Sequence, residues 1–320
     1  AFYHLGILHH KKLHDLKSSA FYFQDYLDKE KEHPKRYKKR AKDLSDEYFT
    51  KYRLLEHPVP FDPVKLKGVC TAEDEYLPML SPDNNYLYLS RQRVTPVDVT
   101  RPLKNGNDKN EYFIQSSKMS VDSFSVGRFM DKPFNQFQNT YGGQKLVGQG
   151  GICLTPDNKE MYLTLTLLSV PKTGQGAKNT QLYYTKKVDG EWKALKPMHG
   201  GINDEKGIAT WEGQPTISSD GKMMVFATAR LTSIPFTLGG EERNSMDLYV
   251  VHKYPNGSWG VPKSIGPVIN TKGNERTPFL HTDSKTLYFS SNGHPGMGGY
   301  DVFYTQMDDN GQWAKPVNIG

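Results

Sequence analysis

The sequence predicts a mainly β protein, a β-propeller of four-stranded blades preceded by a small α-helical segment, and three observations carry this expectation. First, a cassette of two apolar strands around a Ser/Thr-Asp turn recurs four times, as EYLPMLSPDNNYLYLS (75–90), QGGICLTPDNKEMYLT (149–164), EGQPTISSDGKMMVFA (212–227) and ERTPFLHTDSKTLYFS (275–290). Its turn aspartates Asp83, Asp157, Asp220 and Asp283 are spaced by 74, 63 and 63 residues, the period of a unit that cannot bury both its faces alone. Second, two more strand-like elements follow each cassette. Third, the first sixty residues keep a different, helical period.

In chain order, Phe2, Leu5 and Leu8, then Phe21, Phe23, Tyr26 and Leu27, fall at the three- and four-residue spacings of amphipathic helices. Lys35 to Leu55 supplies a third helix, with Tyr37, Ala41, Leu44, Tyr48 and Tyr52 on one stripe. The His57-Pro58-Val59-Pro60 stretch ends this helical part, so the domains are read as 1–57 and 58–320. Residues 61–66 match the segment after each later tryptophan and are read as an outer strand ahead of the first complete blade. A ring of five or more blades is therefore expected for the intact protein, four of them visible.

The blades are placed at about 75–135, 149–198, 212–266 and 275–320. Five and six residues after each aspartate stand Tyr88-Leu89, Tyr162-Leu163, Val225-Phe226 and Tyr288-Phe289, the β-branched and aromatic content of a buried strand. Third strands begin at Glu111-Tyr112-Phe113, Gln181-Leu182-Tyr183, Asp247-Leu248-Tyr249 and Asp301-Val302-Phe303. In the last three copies a Gly-x-Trp at Trp192, Trp259 or Trp313 opens a fourth strand, trailed by Pro197, Pro262 or Pro316.

Composition narrows the function classes. The formal net charge is +6, and no apolar run approaches the roughly 18 residues of a membrane helix, so no transmembrane segment is expected. Cys70 and Cys153 have neither metal-ligand spacing nor a disulfide framework and read as two packed thiols. The ten histidines show no metal spacing, and the Gly-rich run 293–299 joins two strands, without the helix N-terminus that binds phosphate. No cofactor, metal or catalytic residue is expected. The run Lys35, Arg36, Lys38, Lys39 and Arg40 reads as a solvated helix face or a candidate partner surface; no nucleic-acid motif accompanies it.

Propeller topology separates a face of tight Asp-Gly and Asn-Gly turns from a face of long connections, near 91–110, 169–180, 230–246 and 291–299, where binding residues concentrate. Glu75, Gln149, Glu212 and Glu275 start the innermost strands on that long-loop side and are the candidate channel residues. A side chain repeated in every blade is expected first to hold blades together, and second to bind a cation or ligand. The serines and aspartates of the turns, Asp83, Asp157, Asp220 and Asp283, cap their own backbone. Two further readings stand beside these: a hydrolase using channel carboxylates, which needs paired acids at about 5–10 Å, and a carbohydrate or peptidoglycan-fragment binder, which needs exposed aromatics such as Phe134, Phe137, Tyr141 or Phe236.

Blades of the form Glu-x-x-Pro-x-x-Ser-Pro-Asp, Leu-Tyr-Phe-Ser-Ser-Asn-Gly, Gly-Gly-Tyr-Asp-Val-Phe and Trp-x-x-Pro-Val-Asn-Ile-Gly resemble the TolB-like, WD-like propeller repeats of Bacteroidota envelope proteins. Ile152 in place of the proline, and a first blade without tryptophan, depart from that pattern. Phe2, Leu5, Gly6 and Tyr22 similarly resemble a tetratricopeptide unit. The resemblance implies a noncatalytic scaffold in the periplasm, attached to the outer membrane and binding other envelope and secretion proteins. It also implies a part in a type IX secretion or outer membrane–peptidoglycan assembly, with peptidoglycan held through an OmpA-like domain elsewhere.

Overall fold

The computed structural model describes residues 2–29, 35–57, 60, 62–94, 109–137, 139–169, 178–203, 211–230, 233, 235–238 and 241–319. Helix α1 (Phe2–Leu8) runs into a five-residue π-helix, His9–Leu13, and is followed by α2 (Leu16–Lys29) and α3 (Lys35–Glu56). Asp15 caps α2 by accepting a hydrogen bond from Ser18 N at 2.9 Å. The three helices bury Tyr3, Ala20, Phe23, Tyr26, Ala41 and Tyr48 in one cluster. Gly6 permits their close approach: a Cβ there would lie 2.9 Å from the Phe23 ring. On α3, Lys38, Lys39 and Arg40 face solvent while Tyr48 is buried, and burial pushes its hydroxyl up to about 12. Lys35 and Arg36 belong to α3, but their side chains lie outside the described residues.

Among the described residues four antiparallel blade sheets follow, each running from inner to outer strands. Blade 1 comprises Asp74–Leu80, Tyr86–Val94, Lys109–Ser120 and the short outer pieces Ser123–Phe124 and Arg128–Phe129. Blade 2 comprises Gln144–Leu154, with the short strand Thr140–Tyr141 paired to its start, then Glu160–Leu168, Lys178–Val188 and the outer pieces Glu191–Trp192 and Lys196–Pro197. Blade 3 holds Glu212–Ile217, Met223–Thr228, Asp247–His252 and Lys263–Ser264, and blade 4 holds Glu275–Leu280, Thr286–Ser291, Asp301–Gln306 and Val317–Asn318.

Because side chains alternate across a strand, each blade offers one apolar set to each neighbour. Tyr88 and Phe113 of blade 1 meet Leu163 and Leu165 of blade 2; Tyr162 of blade 2 meets Met224 and Phe226 of blade 3; Val225 and Ala227 meet Leu287 and Phe289 of blade 4. Trp192, Trp259 and Trp313 each pack into the cluster between their own blade and the preceding one. Phe124 stands in the corresponding outer strand of blade 1.

Two sequence expectations change here. Residues 62–66 form no strand; the pairing seen at this point is a single parallel bridge between Lys67 and Ser123. Within the connection 230–246 the chain folds into a two-stranded hairpin of Pro235–Leu238 and Glu241–Asn244.

The turn aspartates close their hairpins by accepting backbone hydrogen bonds. Asn85 N, Lys159 N, Lys222 N and Lys285 N donate to Asp83, Asp157, Asp220 and Asp283 at 3.2, 3.0, 2.9 and 2.8 Å. Hydrogen bonds from the Ser81, Thr155 and Ser218 hydroxyls hold the first three carboxyls below the usual carboxylate range; in Asp283 the amides of Thr286 and Lys285 do so. The next residue turns left-handed in every blade, at φ 60°, 57°, 69° and 56° for Asn84, Asn158, Gly221 and Ser284. Asp220→Ala is expected to cost about 1–2 kcal/mol in urea unfolding through loss of these local bonds. An unchanged midpoint would remove the capping role.

Each innermost strand carries a β-bulge at the same place, between Tyr76 and Met79, Gly150 and Ile152, Gly213 and Thr216, and Arg276 and Phe279. The residues at its centre, Leu77, Gly151, Gln214 and Thr277, have φ of 53°, 54°, 54° and 47°. For the three that are not glycine this backbone costs about 1–2 kcal/mol each. The freed amides are taken up by the neighbouring blade: Gln214 N donates to Thr164 Oγ1, and Thr277 N to Gln214 Oε1, both at 2.9 Å.

Candidate functional site

The strand-head side chains lie at the blade junctions. Glu275 is fully buried and accepts hydrogen bonds from Thr271 N at 2.9 Å and from the Thr271 and Ser291 hydroxyls at 2.7 Å. Glu75 repeats this arrangement with Thr71 N at 3.1 Å, the Thr71 hydroxyl, and Arg91 Nε at 2.9 Å. Glu212, also fully buried, accepts from the Thr228 hydroxyl at 3.2 Å and lies 3.6 Å from the Arg230 guanidinium. Gln149 accepts from Asn135 N at 3.4 Å and donates its own amide to the Asn135 side chain.

Two sets of residues that sequence reasoning missed complete these junctions. Asn135, Asn203 and Asn270 each clasp a third strand, accepting from the N–H and donating to the C=O of Phe113, Leu182 and Leu248 at 2.8–3.0 Å. Each stands 11 residues after Phe124, Trp192 or Trp259, directly behind an apolar residue, a spacing legible in the sequence. The carbonyl of that apolar residue is then capped. Arg230 donates to Ile202 O and His294 meets Ile269 O, both at 2.7 Å, and Gln136 donates to Phe134 O at 2.8 Å; in blade 1, where Cys70 stands in place of the asparagine, Arg91 donates to Val69 O at 2.8 Å.

The blade axis encloses a cavity of about 650 Å³ lined by Pro78, Ile152, Pro215 and Pro278 together with Leu80, Leu154, Ile217 and Phe279. None of Glu75, Gln149, Glu212 and Glu275 lines it, and among the described residues neither does any Asp, Glu, Lys, Arg or His. Asn84 and Ser219 place its mouth at the tight-turn end. An apolar, charge-free cavity offers no acid or base to a reacting group.

A larger groove, about 900 Å³, runs along the flank between blades 1 and 2. Its walls bring together three aromatics, Tyr86, Tyr141 and Trp192, with the polar side chains of Gln115, Gln136 and Asn139. Phe134, at its floor, is buried and meets Trp192 edge-on at 6.3 Å. Tyr141 packs edge-on against Tyr183 at 5.7 Å, and burial raises its hydroxyl pKa. Arg128 reaches Gln115 Oε1 at 3.2 Å, which fixes that amide. Of the aromatics singled out from sequence, Tyr141 and Phe134 reach this groove, Phe137 packs on Tyr112 at 5.0 Å, and the Phe236 side chain lies outside the described residues.

Between blades 2 and 3, Glu160 accepts from Lys186, Lys253 and the Tyr162 hydroxyl at 2.6, 3.0 and 2.6 Å. Burial alone would raise its carboxyl, but these three donors outweigh it and bring it to about 2. Among the described residues no group of three or more His, Cys, Asp or Glu is placed to hold a metal, and no helix is long and apolar enough to cross a membrane. Cys70 and Cys153 are free thiols, and burial raises that of Cys153.

Among the described residues the architecture is thus a mainly β propeller of four blades, with a short helical segment before it. No protein-family model matches the chain, and no curated protein matches it in sequence. Solved structures of similar fold include a thermostable family-43 glycoside hydrolase, at 15% identity over 77% of this chain and 75% of that one with a TM-score of 0.43. An endo-arabinase from Bacteroides thetaiotaomicron VPI-5482 aligns at 13% identity over 78% and 81%, TM-score 0.43. A protein of unknown function from Dyadobacter fermentans DSM 18053 aligns at 11% identity over 79% and 71%, TM-score 0.47.

These are likenesses of overall fold, and they correct the family expectation. The similar structures include several glycoside hydrolases and a putative glycosidase beside the protein of unknown function, and none of those named is a TolB-like envelope repeat or the type IX secretion component PorE. The tetratricopeptide and OmpA-family expectations have no match either. With that resemblance gone, the noncatalytic scaffold and the expectation that the chain is not an enzyme are both set aside.

Proposed function

We propose that this propeller recognises a carbohydrate in the groove between blades 1 and 2. One observation carries the reading: Tyr86, Tyr141 and Trp192 line the same groove as the amides of Gln115, Gln136 and Asn139. A sugar ring has apolar C–H faces and a rim of hydroxyls that both donate and accept. Aromatic surface suits the faces, and planar amides suit the rim because each both donates and accepts. A concave site of this size, with a few convergent polar groups, matches the usual ligand pocket, whereas the mainly apolar axial cavity brings no aromatic–amide pairing of this kind to a sugar.

Tyr86 and Asn139 are both exposed, so replacing them leaves the blade core intact. Tyr86→Ala and Asn139→Ala are each expected to weaken oligosaccharide binding, read by titration calorimetry, about tenfold without moving the unfolding midpoint. Binding that survives both changes would place the saccharide elsewhere. The groove also carries two exposed carboxylates, Asp131 and Glu191, so the same titrations should be read for released reducing ends, the product of glycosidic-bond hydrolysis.

A further inference from the structure

We propose that the groove selects acidic over neutral saccharides, with Lys187 as the selecting group and Lys132 as a second cationic contact; this deepens the carbohydrate reading and rests on it. The charges of the groove are unequal in number. Arg128 lies 3.9 Å from Asp131, and Lys193 lies 3.4 Å from Glu191, which accounts for both carboxylates. Lys132 and Lys187 line the same groove with no carboxylate partner among the described residues. Both are exposed, so neither ammonium is needed to neutralise a buried charge.

Lys187 has a particular position. Its Nζ lies over the Trp192 ring, 5.6 Å from the centroid, and both residues line the groove. A ring cannot stack there while the ammonium covers that face. A neutral sugar must displace the cation from the ring and returns nothing for it. A sugar carrying a carboxylate at the ring edge displaces it too, but supplies an anion for the freed ammonium on its flexible stem. One side chain therefore penalises one class of ligand and rewards the other, which is how specificity arises from a difference of affinities.

The two classes respond in opposite directions when the ammonium is removed, which a merely attractive surface charge would not produce. The experiment uses the whole chain and a panel of uronate-containing oligosaccharides, each paired with its carboxyl-reduced counterpart of identical linkage and length. Binding of each pair is measured by calorimetry for the wild type, Lys187→Gln and Lys132→Gln. The wild type is expected to prefer acidic members about tenfold at low salt and less at 0.5 M salt, where exposed charges are screened within about 4–5 Å. Lys187→Gln should weaken acidic members about tenfold while strengthening neutral ones two- to fivefold, the gain from an uncovered ring. Lys132→Gln should weaken only the acidic members.

Equal wild-type affinity for the two members of every pair would overturn acid selection while leaving carbohydrate recognition standing. A Lys187→Gln variant that weakens both members alike would overturn the role of the covered ring. Failure of every member, acidic and neutral, to bind would overturn the carbohydrate reading itself and the selection with it.

Discussion

Arg230→Ala is expected to lower the unfolding free energy by about 3–5 kcal/mol, the scale of breaking a buried ion pair from one side. The guanidinium is almost enclosed, with its side chain 11% exposed, and serves four acceptors at once: the Thr228 hydroxyl at 3.1 Å, Gly201 O at 3.1 Å, Ile202 O at 2.7 Å and the fully buried Glu212 at 3.6 Å. It also lies over the Phe226 and Tyr249 rings, 5.7 and 5.1 Å from their centroids. Truncation removes the cation beside the buried Glu212 carboxylate, leaves the Gly201 and Ile202 carbonyls between blades 2 and 3 without this donor, and removes the planar surface that covers both rings. Arg230→Lys should recover only a minor part, because one ammonium cannot span that fork or stack as a plane. Guanidinium unfolding of the three proteins decides the matter. A loss below about 1 kcal/mol for Arg230→Ala would mean that the junction is held by apolar packing alone.

Glu160→Gln should produce the second largest effect, one that depends on pH in a defined direction. The folded carboxyl sits near 2 against an ordinary value of 4.5, so its folded-state pKa is depressed. A depressed carboxyl contributes stability above its unfolded pKa and loses it as pH falls through the folded one. The window is therefore about pH 4.5 down to about 2, and the full contribution above it is about 3 kcal/mol. Urea midpoints measured from pH 6 to pH 2 should fall steeply for the wild type in that window. Glu160→Gln should begin lower and fall less. Parallel curves would show that Lys186 and Lys253 gain nothing from this carboxylate.

Much of the fold was legible because the repeat writes the same local physics four times. Alternation at Tyr88-Leu89 and its three equivalents set the strand faces, and the Ser/Thr-Asp turns fixed the hairpins. The bulges at Leu77, Gly151, Gln214 and Thr277 were not legible, since three different non-glycine residues adopt a left-handed backbone there, and for Gln214 and Thr277 the freed amide is taken up by the adjacent blade. The site was less legible still. Glu75, Glu212 and Glu275 advertise chemistry by residue type, yet their lone pairs are taken by Thr71, Thr228 and Thr271, partners near in space whose role no residue type announces. The groove is assembled from Tyr86, Gln136 and Trp192, which belong to three separate parts of the chain, and only the docking of blade 2 on blade 1 brings them together.

The placement of Trp192, Trp259 and Trp313 has a consequence for how the chain comes off the ribosome. Each ring seals the seam behind it, so a blade's forward face stays wet until the outer strand of the following blade has been made. With 63 residues separating Asp220 from Asp283, translation at roughly 5–20 residues per second leaves one apolar face uncovered for roughly 3–13 seconds at a time. Folding then advances like a zip, in step with elongation and with a single sticky surface on show.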